Sequence, residues 1–375
     1  MDKKLVPRGI FCVVALLSLV QCSSPSTTAE ATAPKEATAA PERSKSIRFA
    51  GAGNSYPGFS RVGLMMLGHL KPQYPDRDMW IDYHESGRQF RDGVLRVANH
   101  QAEIAFTNPG HLPALAVRGV GLFDKPLPIR GIGNYPSDDW ISFAVDPKLG
   151  IKSINDIREK KLGLKIATAY MDGDNVMPIL LVELLKRHGI SQEDFKSWGG
   201  EITAQDYRAH PRGISAREAY TSSQVNAVFA ESGYDGRWLE DIKKRPMTFI
   251  AVDPAVAKQL EADWGWPSRN IRANYYPGQP EPVLALDFTD WSIVVNADME
   301  DDLAYQIAKL FVEKWDDVKG PPEIKPGMEK VTAGYGGNPK AFVPAEQIKM
   351  SIPLHPGAIK YYREKGLLKS TTATN

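Results

Sequence analysis

Two loops that lie far apart in the chain carry small and polar side chains on the same local plan. Residues 51–56 read Gly-Ala-Gly-Asn-Ser-Tyr, and residues 170–175 read Tyr-Met-Asp-Gly-Asp-Asn. Each loop follows a short apolar run and precedes a longer one, which predicts a strand, a loop and a helix. A helix start of this kind offers free N–H groups and a positive dipole end to an anion. Two such loops in two halves of one chain indicate two lobes that share a ligand.

The side chains of both loops are candidate ligand contacts, namely Asn54, Ser55, Tyr56, Asp172, Asp174 and Asn175. Short polar groups beside free N–H groups suit a ligand, but a helix cap within a turn explains the first three equally well. The carboxylates of the second loop would repel an anion and would instead bind an amine or hydroxyl groups. Capping is our preferred interpretation for at least one of the second three, and their spacing does not match a calcium loop.

Seven further candidates stand where predicted strands end, namely Ser86, Gly87, Arg88, Thr107, Asn108, Glu231 and Ser232, and two more are the aromatic residues Trp140, at the first crossing, and Tyr275. Arg88 offers a planar fork to a carboxylate or phosphate, or else it pairs at the surface with Glu85 or Asp92. Asn108 begins an Asn-Pro-Gly turn, and turn chemistry explains it as well as ligand contact does.

Glu231, Trp140 and Tyr275 also have two interpretations each. Glu231 either binds an amino group of the ligand or is a solvated loop acid. Trp140 and Tyr275 either contact ligand or pack within the hinge. The choice between these interpretations stays open at the level of the sequence.

The composition gives no sign of catalysis or of metal binding. Seven histidines are scattered without metal-ligand spacing, and the chain has neither a Gly-x-Ser-x-Gly elbow nor a phosphate loop. The only cysteines are Cys12 and Cys22, so the chain after residue 22 has no disulfide and no thiolate site. A balance of 46 basic against 45 acidic residues does not favour nucleic acid as a partner. We therefore predict no catalytic residue, no metal and no cofactor.

The amino-terminal segment predicts export and tethering. Residues 1–22 combine a basic start with an apolar run that is too short to span a bilayer, as in a signal peptide. The sequence Leu-Val-Gln-Cys favours lipid attachment at Cys22, while an ordinary cleaved signal and an uncleaved anchor are the alternatives. Residues 23–45 are rich in Ser, Thr, Ala, Pro and Glu, which predicts a flexible tether. We expect a periplasmic or extracytoplasmic lipoprotein held at a membrane.

The rest of the chain alternates predicted strands and helices. Strands are predicted at 47–50, 80–84, 102–107, 128–133, 141–146, 165–169, 227–230, 248–252 and 291–296. Helices are predicted at 59–70, 89–99, 154–160, 176–188, 216–222, 255–264, 301–314 and 356–364. This rhythm indicates α/β architecture with largely parallel sheets. Two apolar crossings, near 127–146 and 283–295, predict two lobes with a ligand between them at the carboxyl ends of strands.

The carboxyl-terminal segment 352–366 reads Ile-Pro-Leu-His-Pro-Gly-Ala-Ile-Lys-Tyr-Tyr-Arg-Glu-Lys-Gly. It closely resembles the signature of the TAXI-type solute receptors of TRAP transporters. Residues 151–157, 275–279 and 298–312 resemble other segments of that family, and the likeness extends over about residues 45 to 368. The three loops that match the family's binding loops are less rich in glycine here, so we expect the scaffold to be retained and the ligand contacts to differ from those usual in the family.

The resemblance implies a two-lobed type II periplasmic-binding-protein fold, with mixed, mostly parallel sheets flanked by helices and a hinge of two crossing segments. We accordingly expect lobe I at 46–139 and 286–368, and lobe II at 140–285. The implied function is to capture a small polar or anionic organic solute, such as a carboxylate or zwitterion, and deliver it unchanged to the membrane subunits of a TRAP transporter.

Two alternatives stay open. The Gly-Ala-Gly-x-x-x-Pro pattern at 51–57 also resembles periplasmic phosphate receptors, so the chain is alternatively a lipoprotein that serves an ABC-type transporter. The third hypothesis is a secreted α/β hydrolase that uses Asp172, Asp174 or Glu231 as acid and base.

Overall fold

The computed structural model describes residues 45–53, 57–84, 89–169, 175–204, 215–233, 237–318 and 342–369. The described strands are β1 Ser46–Gly53, β2 Asp78–His84, β3 Ile104–Thr107, β4 Ile129–Tyr135, β5 Asp139–Val145, β6 Lys165–Thr168, β7 Glu201–Ala204, β8 Ala227–Gly233, β9 Thr248–Phe249, β10 Ser268–Ile271, β11 Val283–Asp287 and β12 Trp291–Asn296. The described helices are α1 Pro57–Leu70, α2 Gln89–Ala98, α3 Leu112–Arg118, α4 Ile154–Glu159, α5 Val176–Arg187, α6 Gln192–Ser197, α7 Ala216–Thr221, α8 Arg237–Lys244, α9 Pro254–Trp264, α10 Asp301–Glu313, α11 Trp315–Val318, α12 Pro344–Gln347 and α13 Pro356–Glu364.

Sheet A contains five strands in the order β2-β1-β3-β12-β4. β1 pairs in parallel with β2 and β3, whereas β12 runs antiparallel to both β3 and β4. Every residue of β3, Ile-Ala-Phe-Thr, is buried, as expected of a central strand that is covered on both faces. The segment before α13 lies along β4, because Gly131 N donates to Pro353 O and His355 N donates to Gly131 O, each at 2.9 Å.

Sheet B contains seven strands in the order β10-β11-β5-β8-β6-β7, with β9 paired to β5. β6 is parallel to both β7 and β8. β5 is antiparallel to β8, β9 and β11, and β10 is antiparallel to β11. The carboxyl ends of β6, β7 and β8 therefore lie at one edge of this sheet.

The chain passes between the two sheets twice, at residues 136–138 and 288–290, and the two passages are hydrogen-bonded to each other. Asp290 N donates to Ser137 O at 3.3 Å, and Ser137 N donates to Asp290 Oδ1 at 3.1 Å. Phe288 N donates to Asp139 O at 3.1 Å. The hinge is thus a pair of bonded segments.

Three apolar clusters cover the faces of the sheets. In sheet A, Ala105 enters a cluster that also contains Ile166 and Phe229 of sheet B, while Phe106 enters a second cluster with α1 and α10 residues. In sheet B, Val228 points into a third cluster. This alternation follows from the two-residue period of a strand.

Most predicted elements are confirmed within one to three residues, and α13 has the predicted bounds. The mostly parallel pairing expected of the sheets is not what the described strands show, since four of their pairs are parallel and six antiparallel. The reason is that β4, β5, β11 and β12, which flank the crossings, run against their neighbours. Helices α3, α6, α8, α11 and α12 and strands β7, β10 and β11 were not predicted. Within the described ranges, no helix has the length and apolar character needed to cross a bilayer.

Candidate functional site

The carboxyl ends of parallel strands define the candidate site. In sheet A, β3 ends at Thr107 beside the parallel strand β1. In sheet B, β6 ends at Thr168 beside the parallel strands β7 and β8. Ligands of open α/β sheets bind outside such ends, because loops and helix starts converge there.

Many of the predicted contacts lie outside the described residues, so they stay predictions: Asn54, Ser55, Tyr56, Ser86, Gly87, Arg88, Asp172 and Asp174, together with the lipidation candidate Cys22. They follow β1, β2 and β6 in sequence, except for Cys22. The described part of the site is therefore built from β3, β5, β6, β8 and the hinge.

Thr107 and Asn108 are buried at the end of β3, with 0 % and 7 % of their surface exposed. Thr107 lies in register with Ser292 on β12, and Ser292 lies in register with Asn134 on β4. Ser292 Oγ is 2.7 Å from Asn134 Oδ1. The carboxyl edge of sheet A thus carries a row of buried polar side chains.

The loop after Thr107 is held firmly to the hinge. Gly110 N donates to the carbonyl oxygens of Thr289 at 3.1 Å and Asp290 at 2.6 Å. Gly110 O accepts from Ser292 Oγ at 3.1 Å and from Ser351 Oγ at 3.0 Å. An added Cβ at Gly110 would lie 3.0 Å from Thr289 O, so glycine permits the close approach. Asn108 is therefore presented by a fixed backbone.

Thr168 is a further candidate site residue, which the sequence analysis did not name. It ends β6 as Thr107 ends β3, and its side chain is fully buried. A threonine as the last residue of a buried parallel strand, directly before a polar loop, was the available signal. Its neighbour in register is Ala204 at the end of β7.

Trp140 lies at the amino-terminal end of β5, in register with Ser232 near the carboxyl end of the antiparallel strand β8. Its ring packs edge-on against Tyr275 with centroids 5.0 Å apart, and the Arg269 guanidinium lies 5.1 Å from its centroid. Arg269 is itself paired with Asp138 at 2.5 Å. Trp140 and Tyr275 thus pack against each other, and Arg269 links Trp140 to Asp138 of the first crossing; ligand contact by either ring stays a prediction.

Four buried polar atoms at these strand edges have no hydrogen-bond partner within the part of the chain that is described. We call them the open polar groups: Thr107 Oγ1, Asn108 Oδ1, Thr168 Oγ1 and Trp140 Nε1. Two belong to sheet A and its loop, and two belong to sheet B. Buried polar atoms are almost always hydrogen-bonded, so each of these four atoms is a candidate to bond a ligand atom or a water molecule.

Glu231 and Ser232 differ from expectation in their local structure. Both belong to β8 and pair with Ile141 and Trp140 of β5, so Glu231 is a strand residue and not a loop acid. Ser232 is buried, and its Oγ lies 2.5 Å from Ser142 Oγ. The Glu231 carbonyl accepts from Trp238 Nε1 at 2.9 Å. β8 extends further than its apolar run because β5 pairs with it up to Gly233.

Asn175 caps helix α5. Its Oδ1 accepts from Met177 N at 3.0 Å, which is the geometry of an N-cap. The cap satisfies one of the free N–H groups at the start of α5.

Asp287, the last residue of β11 before the second crossing, has three contacts to one carboxylate oxygen. Its Oδ1 accepts from Thr289 N at 2.7 Å and Thr289 Oγ1 at 2.5 Å, and it lies 3.1 Å from His111 Nε2. Burial acts to raise the pKa of Asp287, but the hydrogen bonds from His111 and Thr289 outweigh it and hold the pKa below its ordinary value. Asp287 is therefore an anion, and His111 Nε2 must carry the proton that they share.

A surface cavity of about 620 Å³ lies away from these strand edges. Residues of α5, α6 and β7 line it, including Leu185, Phe195 and Ile202. It contains none of the open polar groups. Across the described residues, no cluster of three or more His, Cys, Asp or Glu side chains is placed to hold a metal ion.

The two mixed sheets, their flanking helices and the double crossing define a two-lobed α/β fold of the type II periplasmic-binding-protein class. The chain belongs to the NMT1-like family, whose model matches residues 91–366. The expected TAXI membership stays a prediction.

Several solved structures are similar to this chain at low identity. One is a putative sulfonate ABC transporter periplasmic sulfonate-binding protein, SsuA, from Methylobacillus flagellatus KT, with 15% identity, a TM-score of 0.44, and coverage of 86% of this chain and 96% of that one. Another is PhnD1 from Prochlorococcus marinus (MIT 9301) in complex with methylphosphonate, with 11% identity, a TM-score of 0.43, and coverage of 86% and 98%. A third is a TRAP periplasmic solute binding protein from Sulfitobacter sp. NAS-14.1 with bound beta-D-galacturonate, with 12% identity, a TM-score of 0.36, and coverage of 73% and 80%.

Proposed function

We propose that this protein is an extracytoplasmic receptor that binds a small polar solute between the carboxyl edges of sheets A and B and passes it unchanged to a membrane transporter. The observation that carries the proposal is the set of open polar groups, which occur at the strand ends of both sheets. An unsatisfied buried polar group costs about 1–3 kcal/mol. A bound solute that bonds to these groups would recover that free energy, which gives a physical reason for binding at this place.

The proposed lobes follow those expected from the sequence, with the bounds moved to the crossings at 136–138 and 288–290: one lobe is 46–135 with 291–368, and the other is 139–287, since β5 and β11 pair in sheet B. Binding would favour a closed arrangement of the two lobes to the extent that the solute contacts both. The predicted contacts beyond the described residues, among them Asn54, Arg88 and Asp174, would complete the site. Their mixed charges suit a zwitterion or an acid that carries hydroxyl groups.

We favour an ABC-type transporter as the partner over the TRAP-type one that the carboxyl-terminal resemblance implies. Membership of the NMT1-like family and the names of the sulfonate- and phosphonate-binding relatives support this choice. The tethering of the receptor by a lipid on Cys22 belongs to the same proposal.

The first experiment is a binding screen on the purified full-length chain. Orthophosphate, methylphosphonate, methanesulfonate, galacturonate and glutamate are added singly, and thermal shift and calorimetry measure binding. We expect one of these classes to bind with one solute per chain, and mass spectrometry to recover it unaltered. A chemically converted solute would favour the hydrolase, and no shift with any of them would count against the receptor.

A second experiment separates the two kinds of transporter. Uptake of the identified solute is measured in cells that carry the receptor and its membrane subunits. Inhibition of uptake by vanadate but not by an ionophore would support an ABC-type partner. Inhibition by an ionophore but not by vanadate would support a TRAP-type partner.

A further inference from the structure

Helix α3 follows a strand of sheet A in the sequence, but both of its ends contact elements of sheet B. It follows directly from the central strand β3 through the loop 108–111. Its last residue, Arg118, covers Gly265 at the end of α9, where an added Cβ would lie 2.0 Å from the guanidinium. The residue before its first turn, His111, reaches Asp287 at the end of β11. Both ends of α3 thus contact sheet B elements.

The contact between His111 and Asp287 is enclosed. Their side chains are 18 % and 16 % exposed, and the two atoms that meet are 3.1 Å apart. The His111 ring lies edge-on to Trp266 with centroids 5.9 Å apart, and Trp266 Nε1 donates to Asp287 O at 2.9 Å. A charge-assisted hydrogen bond in such surroundings is stronger than one in water.

The same carboxylate also organises the second crossing. Asp287 Oδ1 accepts from Thr289 N and Oγ1, and Thr289 O accepts from Gly110 N. A closed circuit therefore runs from the loop of Asn108 to the crossing and back through His111. A rotation of one sheet against the other would have to break a member of this circuit or carry the Asn108 loop with it.

We propose that the His111–Asp287 contact is a latch that fixes the angle between the two sheets and ties the Asn108 loop to the hinge. His111 is a positioning residue in this assignment, since it acts on the open group of Asn108 through the backbone. The inference rests on the proposed function only in giving the angle a role in solute capture. The angle itself can be measured without a solute.

The test uses fluorescence energy transfer in the full-length chain without ligand. Cys12 and Cys22 are replaced by serine, and new cysteines for dye labels replace two exposed residues, Asp76 beside sheet A and Lys148 beside sheet B. We expect His111→Phe to shift or broaden the distance distribution. We expect His111→Gln to retain the original distribution, because its amide N–H can donate to Asp287 from nearly the position of Nε2.

The matched control is His69→Phe. His69 also faces a carboxylate, Asp317 at 3.4 Å, but that pair joins α1 and α11, which both pack on sheet A. Its removal should leave the distribution unchanged. Asp287→Asn gives a second route if His111→Phe does not fold, because it keeps the shape of the side chain and removes its negative charge. It should broaden the distance distribution.

Two results would overturn the latch. One is a distribution that is unchanged in a folded His111→Phe or Asp287→Asn chain. The other is an equal change in the Phe and Gln variants, which would assign the effect to packing against Trp266. Either outcome leaves the receptor proposal intact, whereas failure of the solute screen leaves the latch intact.

Discussion

Replacing Thr107 or Thr168 by valine should stabilise the ligand-free protein and weaken solute binding. Both side chains are fully buried, and within the described structure neither hydroxyl has a partner. Valine has nearly the same shape and removes the hydroxyl that is buried without a bond. The free energy of unfolding should therefore rise while the affinity for the solute falls, a combination that few other structural explanations predict.

The magnitudes follow from the cost of a buried unsatisfied group. Removing one should raise the free energy of unfolding by about 1–3 kcal/mol. For domains of 150–250 residues, each kcal/mol raises the melting temperature by about 2–4 °C. Losing one hydrogen bond to the solute costs about 0.5–1.5 kcal/mol, which is roughly a 2- to 12-fold weaker affinity.

Urea denaturation measures the first effect, and calorimetry with the solute found in the screen measures the second. Thr203→Val is the matched control, since Thr203 lies in the neighbouring strand β7 in register with Ala167, on the face opposite Thr168. It should change neither affinity nor, by more than about 0.5 kcal/mol, stability.

The reasoning fails if Thr107→Val and Thr168→Val both lower the stability of the ligand-free chain. That result would mean that the hydroxyls already hold partners such as ordered waters. Unchanged affinity in both variants would remove the two threonines from the binding site, even if the stability rises as expected.

Three further predictions concern the surroundings of the hinge and the core of sheet B. The lowered pKa of Asp287 stabilises the folded chain above the unfolded-state pKa of about 3.9. This stabilisation is lost as the pH falls through the folded-state pKa. The urea midpoint of the wild-type chain should therefore fall more steeply below about pH 4 than that of Asp287→Asn. Burial lowers the pKa of His188, so below about pH 6.5 the folded residue stays neutral while the unfolded chain takes up a proton. The free energy of unfolding should therefore decline below that pH. A ring that titrates at or above pH 6.5 by NMR would contradict this. Ser351→Ala removes one of two hydroxyl donors to Gly110 O and should cost about 0.5–1.5 kcal/mol, whereas Gly110→Ala crowds Thr289 O and should cost more; the opposite order in urea denaturation would refute the account of this loop.

Local signals predicted the elements that carry strong capping or apolar patterns. Helix α13 was placed correctly because His355 accepts from Gly357 N as its N-cap and Pro356 suits the first turn. Strand β12 was placed correctly because it is a continuous apolar run. Helix α3 was missed since His-Leu-Pro follows an Asn-Pro-Gly turn, and the sequence did not separate the end of the turn from the start of a helix.

The candidate site was predictable only in part, because its geometry depends on contacts between distant residues. The strand-end rule led to Thr107 and Asn108, which do lie at and directly after the carboxyl end of β3, and their contact with a ligand stays a prediction. The rule could not show which of their polar atoms stay open, since that depends on β12, β8 and the hinge. The His111–Asp287 contact joins residues 176 positions apart, and neither residue belongs to a motif.

The sheet A side of the proposed site is ordered before any solute binds. On the sheet A side, the Asn108 loop is already fixed by bonds from Gly110 to Thr289, Asp290 and Ser351. Ordering a side chain at an interface costs about 0.5–1.5 kcal/mol when it happens on binding. Here the backbone that carries Asn108 is ordered by folding, so less of that cost falls on the solute. Loosening this loop should therefore weaken affinity even when no ligand contact is removed, and that is the reason to measure solute binding, as well as stability, in Ser351→Ala.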